Sequence, residues 1–302
     1  MWFKNLQLFL LKEDFAPAQD ELESALAQDR FRPCGPLETG VQGWHPPLGG
    51  ESEQLSFVAN GCYLLCMRRE EKILPASVVN EVLADKVQQI EQEEARDVGR
   101  KERKQLKDEV YLDLLPRAFT RSSLTFAYVD PEKKWILVDA ASPKKAEDLV
   151  SLLRKSLGSL PAKPLNVKQS PPEVMTRWLE GEGLPGDFVI ADQCELRDLD
   201  EEGGIVRCRR QDLFSDEIQA HLKAGKKAVQ LAVDWDERVS LVLTDQPAIK
   251  RLRFADELIE EAADTAGDDM HALFDADFTL MSMELRKLVD KVIEVFGGTE
   301  SE

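Results

Sequence analysis

Between Pro75 and Pro116 the chain carries a segment that cannot make a core of its own. Val79, Val82, Leu83, Val87 and Ile90 fall at helical spacing, and Leu106, Val110 and Leu114 resume it after an interruption at Gly99. Polar and charged residues fill the other positions, so each helix has only a thin apolar stripe. Pro75 opens the segment and Pro116 stops it, because proline lacks the N–H of the helical ladder and clashes with the preceding turn. A helix from 76 to 98 would be about 35 Å long at 1.5 Å per residue. The pattern predicts an antiparallel helical hairpin, 76–116, projecting like an arm from a body built by the rest of the chain.

That body reads as α+β, with antiparallel sheets and flanking helices. Leu6, Leu8 and Leu10 alternate with Asn5, Gln7 and Phe9, which predicts a strand with one buried face. Ala18–Gln28 reads as a helix, and the Trp44–Gly50 cluster as a loop. Ala59-Asn60-Gly61 separates two apolar runs, a hairpin signal because Asn and Gly both tolerate positive φ. A second hairpin turns at Asp130–Lys134, and a helix follows from Pro143 to Leu157, closed by Gly158.

Prolines 161, 164, 171 and 172 mark a boundary. Beyond it come a helix at Pro172–Glu180, strands at 188–191, 204–209, 228–234, 239–244 and 249–254, and a helix at 215–224 with Ser215 as N-cap. A helix over 254–263, a final strand at Phe278–Met281 and a helix at Met283–Phe296 complete the pattern. A chain of 302 residues suggests about two domains. The expected division is a central unit of 1–75 with 117–163, the hairpin 76–116, and a C-terminal unit of 164–302. Both units show hairpins followed by a helix, as two related folds would.

Catalytic signatures are scarce. His45, His221 and His271 are the only histidines, and none has a partner at metal-ligand spacing. No glycine-rich phosphate loop occurs. Cys62 and Cys66 share one face of a strand, where two buried thiols are expected rather than a metal pair. Asp275 and Asp277, at i and i+2 in Phe-Asp-Ala-Asp-Phe, give a metal-dependent nuclease as the alternative, since two metals clamping a phosphate need shared carboxylates. The acids that would complete such a site are not recognisable. No catalytic residue, metal ligand or cofactor is assigned.

No run approaches the roughly 18 apolar residues of a membrane helix, and the N-terminal residues lack the features of a secretory signal. Five scattered cysteines read as reduced thiols. A soluble intracellular protein is therefore expected, one that binds something large and is not an enzyme.

The net charge of −18 argues against nucleic acid unless positive charge is segregated on one surface. Local inversions exist. Residues 96–121 contain eight basic and five acidic side chains. Further clusters are Lys144-Lys145 at a helix N-terminus, Arg154-Lys155, Arg207 with Arg209-Arg210, Lys223 with Lys226-Lys227, and Lys250-Arg251 with Arg253. Bases gathered on one face could hold DNA through its phosphates without reading its sequence. Acidic stretches such as Asp256–Asp269 read as solvated surface.

A set of landmarks runs in order through the chain: Trp2-Phe3-Lys4-Asn5, Val58-Ala59-Asn60-Gly61, Glu70–Pro75, Lys107-Asp108-Glu109-Val110, Leu114-Leu115-Pro116-Arg117-Ala118-Phe119, Lys144–Asp148, Leu152–Pro161 and Phe274–Phe278. With these the sequence resembles the bacterial RdgC family of recombination-associated proteins from end to end. The resemblance implies a homodimer closed at two interfaces into a ring, whose basic hole accommodates double-stranded DNA with little sequence preference. It further implies single-stranded DNA as a second ligand, restraint of RecA-promoted strand exchange, and a cytoplasmic, nucleoid-associated location. The helical hairpin would be the family's tip, and the C-terminal half its base. Arg117 and Phe119 match the family's Leu-Pro-Arg-Ala-Phe motif, and Phe119 suits a contact across subunits or to DNA, with burial in the core as the alternative. Arg209-Arg210-Gln211-Asp212 matches a basic-basic-Gln-Asp stretch in which lysine is common where this chain has arginine. The expected DNA-binding set is Arg117, Arg121, Lys144, Lys145, Arg209, Arg210, Gln211, Lys226 and Lys227. A protein-only module acting on the recombinase is a third reading.

Overall fold

The computed structural model describes residues 1–50, 52–198, 203–266 and 269–300. Strand β1 (Leu6–Leu11), helix α1 (Gln19–Ala27), β2 (Gly40–Trp44), β3 (Ser56–Ala59) and β4 (Cys62–Ile73) lead into α2 (Ala76–Glu94) and α3 (Arg100–Leu114). A single 3₁₀ turn (Leu115–Arg117) precedes β5 (Phe119–Asp130), β6 (Trp135–Val138), α4 (Pro143–Leu157), β7 (Ala162–Pro164) and α5 (Pro171–Leu179). There follow β8 (Phe188–Arg197), β9 (Ile205–Arg209), α6 (Asp216–Lys223), β10 (Lys227–Trp235), β11 (Val239–Thr244), β12 (Ala248–Phe254), α7 (Asp256–Ala266) and α8 (Met270–Val295).

The strands form one antiparallel sheet, ordered β2-β4-β5-β6-β1-β12-β11-β10-β8-β9, with β3 added to β4 and β7 to β1. Two similar units were expected, and their sheets turn out to be continuous. The seam is narrow: β1 meets β12 only through Leu6 with Ile249 and Gln7 with Ala248. One apolar core bridges it, because α8 brings Phe278, Met281, Leu285 and Leu288 against residues of both half-sheets.

Strand β1 departs from simple alternation. Leu6 and Leu8 enter the core under α5 and α8, while Phe9 and Leu11 enter a second core under α1 and α4. Both faces are covered because helices lie on both sides of the N-terminal half-sheet. The two hairpin turns form as the sequence predicts. Asn60 and Gly61 take φ of 48° and 69° between β3 and β4, and β5 turns into β6 at Asp130–Lys134.

Three expectations are corrected. Phe278–Met281 is not a strand; it lies inside α8, which starts at Met270 rather than Met283. Phe278, Met281, Leu285, Leu288, Val289 and Val292 follow one helical face across that whole segment, and this long period overrides the short apolar run. The Trp44 region is not all loop, since Gly40–Trp44 pairs with Arg68, Met67 and their neighbours on β4. Gly43 is required there: a Cβ would stand 2.6 Å from the Phe31 backbone. Ser215 sits at the N-cap of α6 but makes no cap bond, and its buried hydroxyl has no partner among the described residues. The acidic stretch 256–269 is solvated as read: residues 256–266 form α7, whose Asp256, Glu257, Glu260, Glu261 and Asp264 are exposed, while 267 and 268 lie outside the described residues.

Helices α2 and α3 pair as a hairpin at the far end of the long β4–β5 ribbon. Gly99 caps α3, and the Ala95 backbone (φ 50°) closes α2 in the left-handed region. The shared core is Leu83, Val87 and Leu106, with Ile90 and Val98 packed beside it. Side chains in such a core contribute about 1.5–3 kcal/mol each. Fixing each backbone residue costs about 1–2 kcal/mol, so the arm depends on the ribbon that anchors it. The ion pairs of Arg96 with Glu94 and Glu102 are exposed and add little.

Candidate nucleic-acid interface

The two half-sheets differ in how they are covered. In the C-terminal half, Cys194, Leu196, Cys208, Leu231, Val233, Leu241, Leu243, Ile249 and Leu252 pack toward α5, α6 and α8. The alternate residues form the opposite face, which continues the α1/α4 side of the sheet but carries no helix among the described residues.

Side chains of directly paired residues share a face, so the ladder registers define this surface. Gln193 pairs with Arg209 and Glu195 with Arg207. Gln230 pairs with Glu195, Val242 with Lys250, and Ser240 with Arg253. Between the last two pairs β12 carries one residue more than β11, a bulge in which Arg251 adopts φ of 53°. The bulge shifts the phase of the strand. Leu252 therefore turns into the core while Arg253 joins Lys250 on the uncovered face.

Lys4, Asn5, Gln193, Arg209, Arg210, Arg251 and Arg253 line a groove of about 970 Å3 over this face, with Asp192 and Asp234. The Arg251 guanidinium donates to Gln193 Oε1 at 2.9 Å, and the Arg251 backbone N–H reaches Asn5 Oδ1 at 3.3 Å. Glu195 is the acidic residue set deepest in the surface. Burial pulls it toward protonation, but hydrogen bonds from Arg207 and Arg197, at 2.7 Å each, outweigh that and hold its carboxyl below the usual value. Among the described residues, no carboxylate lies within ion-pairing distance of Arg209, Arg210, Lys250 or Arg253. Apolar Ala232 and Val242 lie beneath the arginines, nearly inaccessible although no helix covers them, as expected where the stems of long charged side chains lie over apolar surface.

Of the nine expected DNA-binding residues, the fold brings Arg209 and Arg210 into this groove. Lys226 is committed elsewhere, to Asp198 at 2.6 Å and to the Gly204 carbonyl. Lys227 is half-buried at the start of β10, paired with Arg197. Gln211 donates to Glu217 at 2.8 Å. Lys144 and Lys145 are exposed in the first turn of α4. That turn stands near the groove's edge, because Asp139, just before it, accepts the N–H groups of Lys4 and Asn5. Burial raises the Asp139 carboxyl above its ordinary range, against those hydrogen bonds.

Arg117, Phe119 and Arg121 lie apart, where the β4–β5 ribbon meets the helical arm. Phe119 pairs with Ile73, on the α1/α4 side of the sheet. Phe119 is 84% exposed and Ile73 45%, so the alternative of a core phenylalanine is excluded. Val78, Val82 and Leu112 on the arm are exposed too. Arg121 contacts Glu71 at 3.4 Å, which Arg69 also pairs.

Lys4, Gln193, Arg251 and Arg253 were not among the expected residues. The Lys250–Arg253 cluster was visible as charge, but its placement depends on a bulge and on partners some sixty residues away in β8.

The acidic pair of the nuclease reading is dispersed. Asp275 and Asp277 lie on helix α8, where i and i+2 do not share a face. Asp277 binds the Met1 ammonium and accepts from the Trp2 indole at 2.9 Å. Among the described residues, no three of His, Cys, Asp and Glu gather in a group that could hold a metal. Cys62 and Cys66 are both buried on β4, and burial pushes each thiol up to about 12. No helix among the described residues is long and apolar enough to cross a membrane.

Comparison with known proteins agrees with this end-to-end pattern. The family model described as "Putative exonuclease, RdgC" matches residues 1–299. The recombination-associated protein RdgC of Yersinia pestis (strain Pestoides F) is 45% identical over 298 residues, 99% of this chain and 98% of the relative. The protein of the same name from Yersinia enterocolitica has the same identity and coverage. The relatives' name is not that of an enzyme, whereas the family description is. The chain belongs to the RdgC family of recombination-associated proteins.

Proposed function

We propose that this protein binds duplex DNA without sequence preference, as a homodimer closed into a ring, and so restrains the access of RecA to DNA. The observation that carries the proposal is the helix-free face of the C-terminal half-sheet. It presents Arg209, Arg210, Lys250 and Arg253 without carboxylate partners among the described residues, in a chain of net charge −18. Such a surface attracts phosphates through counterion release and reads no base sequence. The exposed apolar set Phe119, Ile73, Val78, Val82 and Leu112 supports one subunit contact at the arm. The arm 76–116 is the tip and 164–302 the base of each subunit, around a central unit of 1–75 and 117–163. Arg121, and Lys144 and Lys145 on α4, stand on the same side of the sheet, and together with Arg117 they extend the basic lining. Location at the nucleoid follows from this reading, and the protein acts as a binding protein rather than a nuclease.

The test is binding to linear and to covalently closed duplex DNA across a salt series, with the oligomeric state measured alongside. A dimer that leaves linear ends at high salt but persists on circles is the expected result. Equal loss from both forms removes the ring, and affinity that is flat in salt removes the electrostatic mechanism.

A further inference from the structure

Beside the arginine groove lies a second groove of about 500 Å3, lined by Ile190, Asp192, Arg210, Gln211, Leu213 and Phe214 among others. Phe214 is 51% exposed, and its loop is held on both sides. Leu213 is anchored in the core, the Phe214 N–H donates to Asp212 Oδ1 at 2.9 Å, and the Gln211 N–H reaches the Asp192 carbonyl. A lone exposed phenylalanine is ordinary surface. Here a second observation adds to it: Arg210 lines both grooves. Its φ of 55° breaks the alternation just after Arg209, so two successive arginines serve two neighbouring sites. Arg210 has no ion-pair partner among the described residues.

An aromatic ring, a cationic guanidinium and a carboxylate around one open groove match an unpaired nucleobase. The ring offers a stacking surface, Arg210 a phosphate contact, and Asp192 an acceptor for an N–H on the base's Watson–Crick edge, such as thymine N3–H. In a duplex the bases are stacked on one another and cannot reach the ring. We propose that the Phe214 groove holds an unpaired base of single-stranded DNA whose backbone lies on the arginine face. This rests on the DNA-binding reading above and gives single strands a subsite that duplexes do not use.

The experiment measures binding of the full-length protein to three probes of equal length: oligo-dT, an abasic oligodeoxynucleotide with the same phosphates, and a duplex. Phe214→Ala is expected to lower dT affinity about tenfold, within the range aromatic stacking supplies, and to leave abasic and duplex affinities unchanged. Phe214→Trp is expected to keep dT affinity. The proposal is overturned by unchanged dT affinity in Phe214→Ala or by an equal drop on all three probes. It is also overturned by a changed oligomeric state in sedimentation, which would make Phe214 a subunit contact. Wild-type protein that binds duplex but not dT overturns this subsite alone, whereas wild-type protein that binds no probe overturns the DNA-binding reading with it.

Discussion

The N-terminal half-sheet is closed on both faces, by α1 and α4 on one side and α8 on the other, whereas the C-terminal half is closed on one face only. The same strand grammar serves two purposes. Where both faces are covered, both sets of alternating residues are apolar: Ile136 and Val138 enter one core, Trp135 and Leu137 the other. Where one face is left free, the second set becomes Gln193, Arg207, Arg209, Gln230 and Arg253, and the sheet gains a charged surface. The surface is rigid, because its other side belongs to the core that α8 shares between both halves. A flat array of long cations on a packed scaffold suits a ligand defined by its backbone charge.

A matched pair of substitutions tests that contrast most sharply. Val138 and Val242 lie on the same side of the sheet, Val138 under a helix and Val242 under arginine stems. Val138→Ala is expected to lower stability by about 2–3 kcal/mol, the lost methyl transfer plus a cavity that cannot collapse. Val242→Ala should lower it by about 1 kcal/mol or less, since the overlying stems can settle into the space. Urea denaturation measures both, and equal losses would erase the distinction between the halves.

Next in size is the electrostatic contrast. Arg209→Glu with Arg253→Glu is expected to weaken duplex binding by about 100-fold at low salt and to flatten its salt dependence, because each lost phosphate contact removes about 0.9 from the slope. Lys226→Ala, which disturbs an internal ion pair with Asp198, should change affinity far less. A comparable loss per unit of charge changed would mean that net charge matters and the uncovered face does not.

How much of this was readable beforehand follows the range of the interactions. The Asn60-Gly61 turn, the Pro75 start, the Pro116 stop and the Gly158 cap are local, and the sequence announces each. Strand β1 defeated alternation because its second cover, α4, comes more than a hundred residues later. The true start of α8 was hidden by a short run, Phe278–Met281, that fits either period. The arginine face was the least legible. Arg209, Gln193 and Arg251 meet through registers set by three separated strands and by a bulge that nothing in Lys250-Arg251-Leu252-Arg253 declares. Phe119 stands out in the sequence only through its motif, and only the fold shows it bare at the end of the ribbon.

Thiols report the same contrast through dynamics. Burial raises Cys62, Cys66 and Cys194 to about 12, so each reacts only when its surroundings open. Cys34 is half-buried and should be alkylated first in the native protein. Cys194 and Cys208, cross-strand neighbours near the outer edge of the singly covered half, should follow roughly tenfold faster than Cys62 and Cys66 if opening tracks the number of covering layers. Mass spectrometry of time-resolved labelling gives the order, and the reverse order would place the weaker half at the N-terminus.

The smallest effect concerns Glu195, the carboxylate set into the arginine face. Its pKa is held below the ordinary value by Arg207 and Arg197 against the opposing influence of burial. A carboxylate lowered by folding contributes stability above its unfolded pKa, near 4.3, and that contribution disappears as pH falls through the folded value. Protonation there also removes a negative charge from the surface and frees two guanidiniums. Stability and DNA affinity should therefore move in opposite directions below about pH 4.3, the protein weakening as its hold on phosphate strengthens. Glu195→Gln should reproduce the second change at neutral pH, with duplex affinity raised by a few-fold and no longer increased by mild acid. If the substitution instead lowers affinity, Glu195 orients Arg207 for the phosphate rather than competing with it, and the open face is an ordered array rather than a field of independent charges.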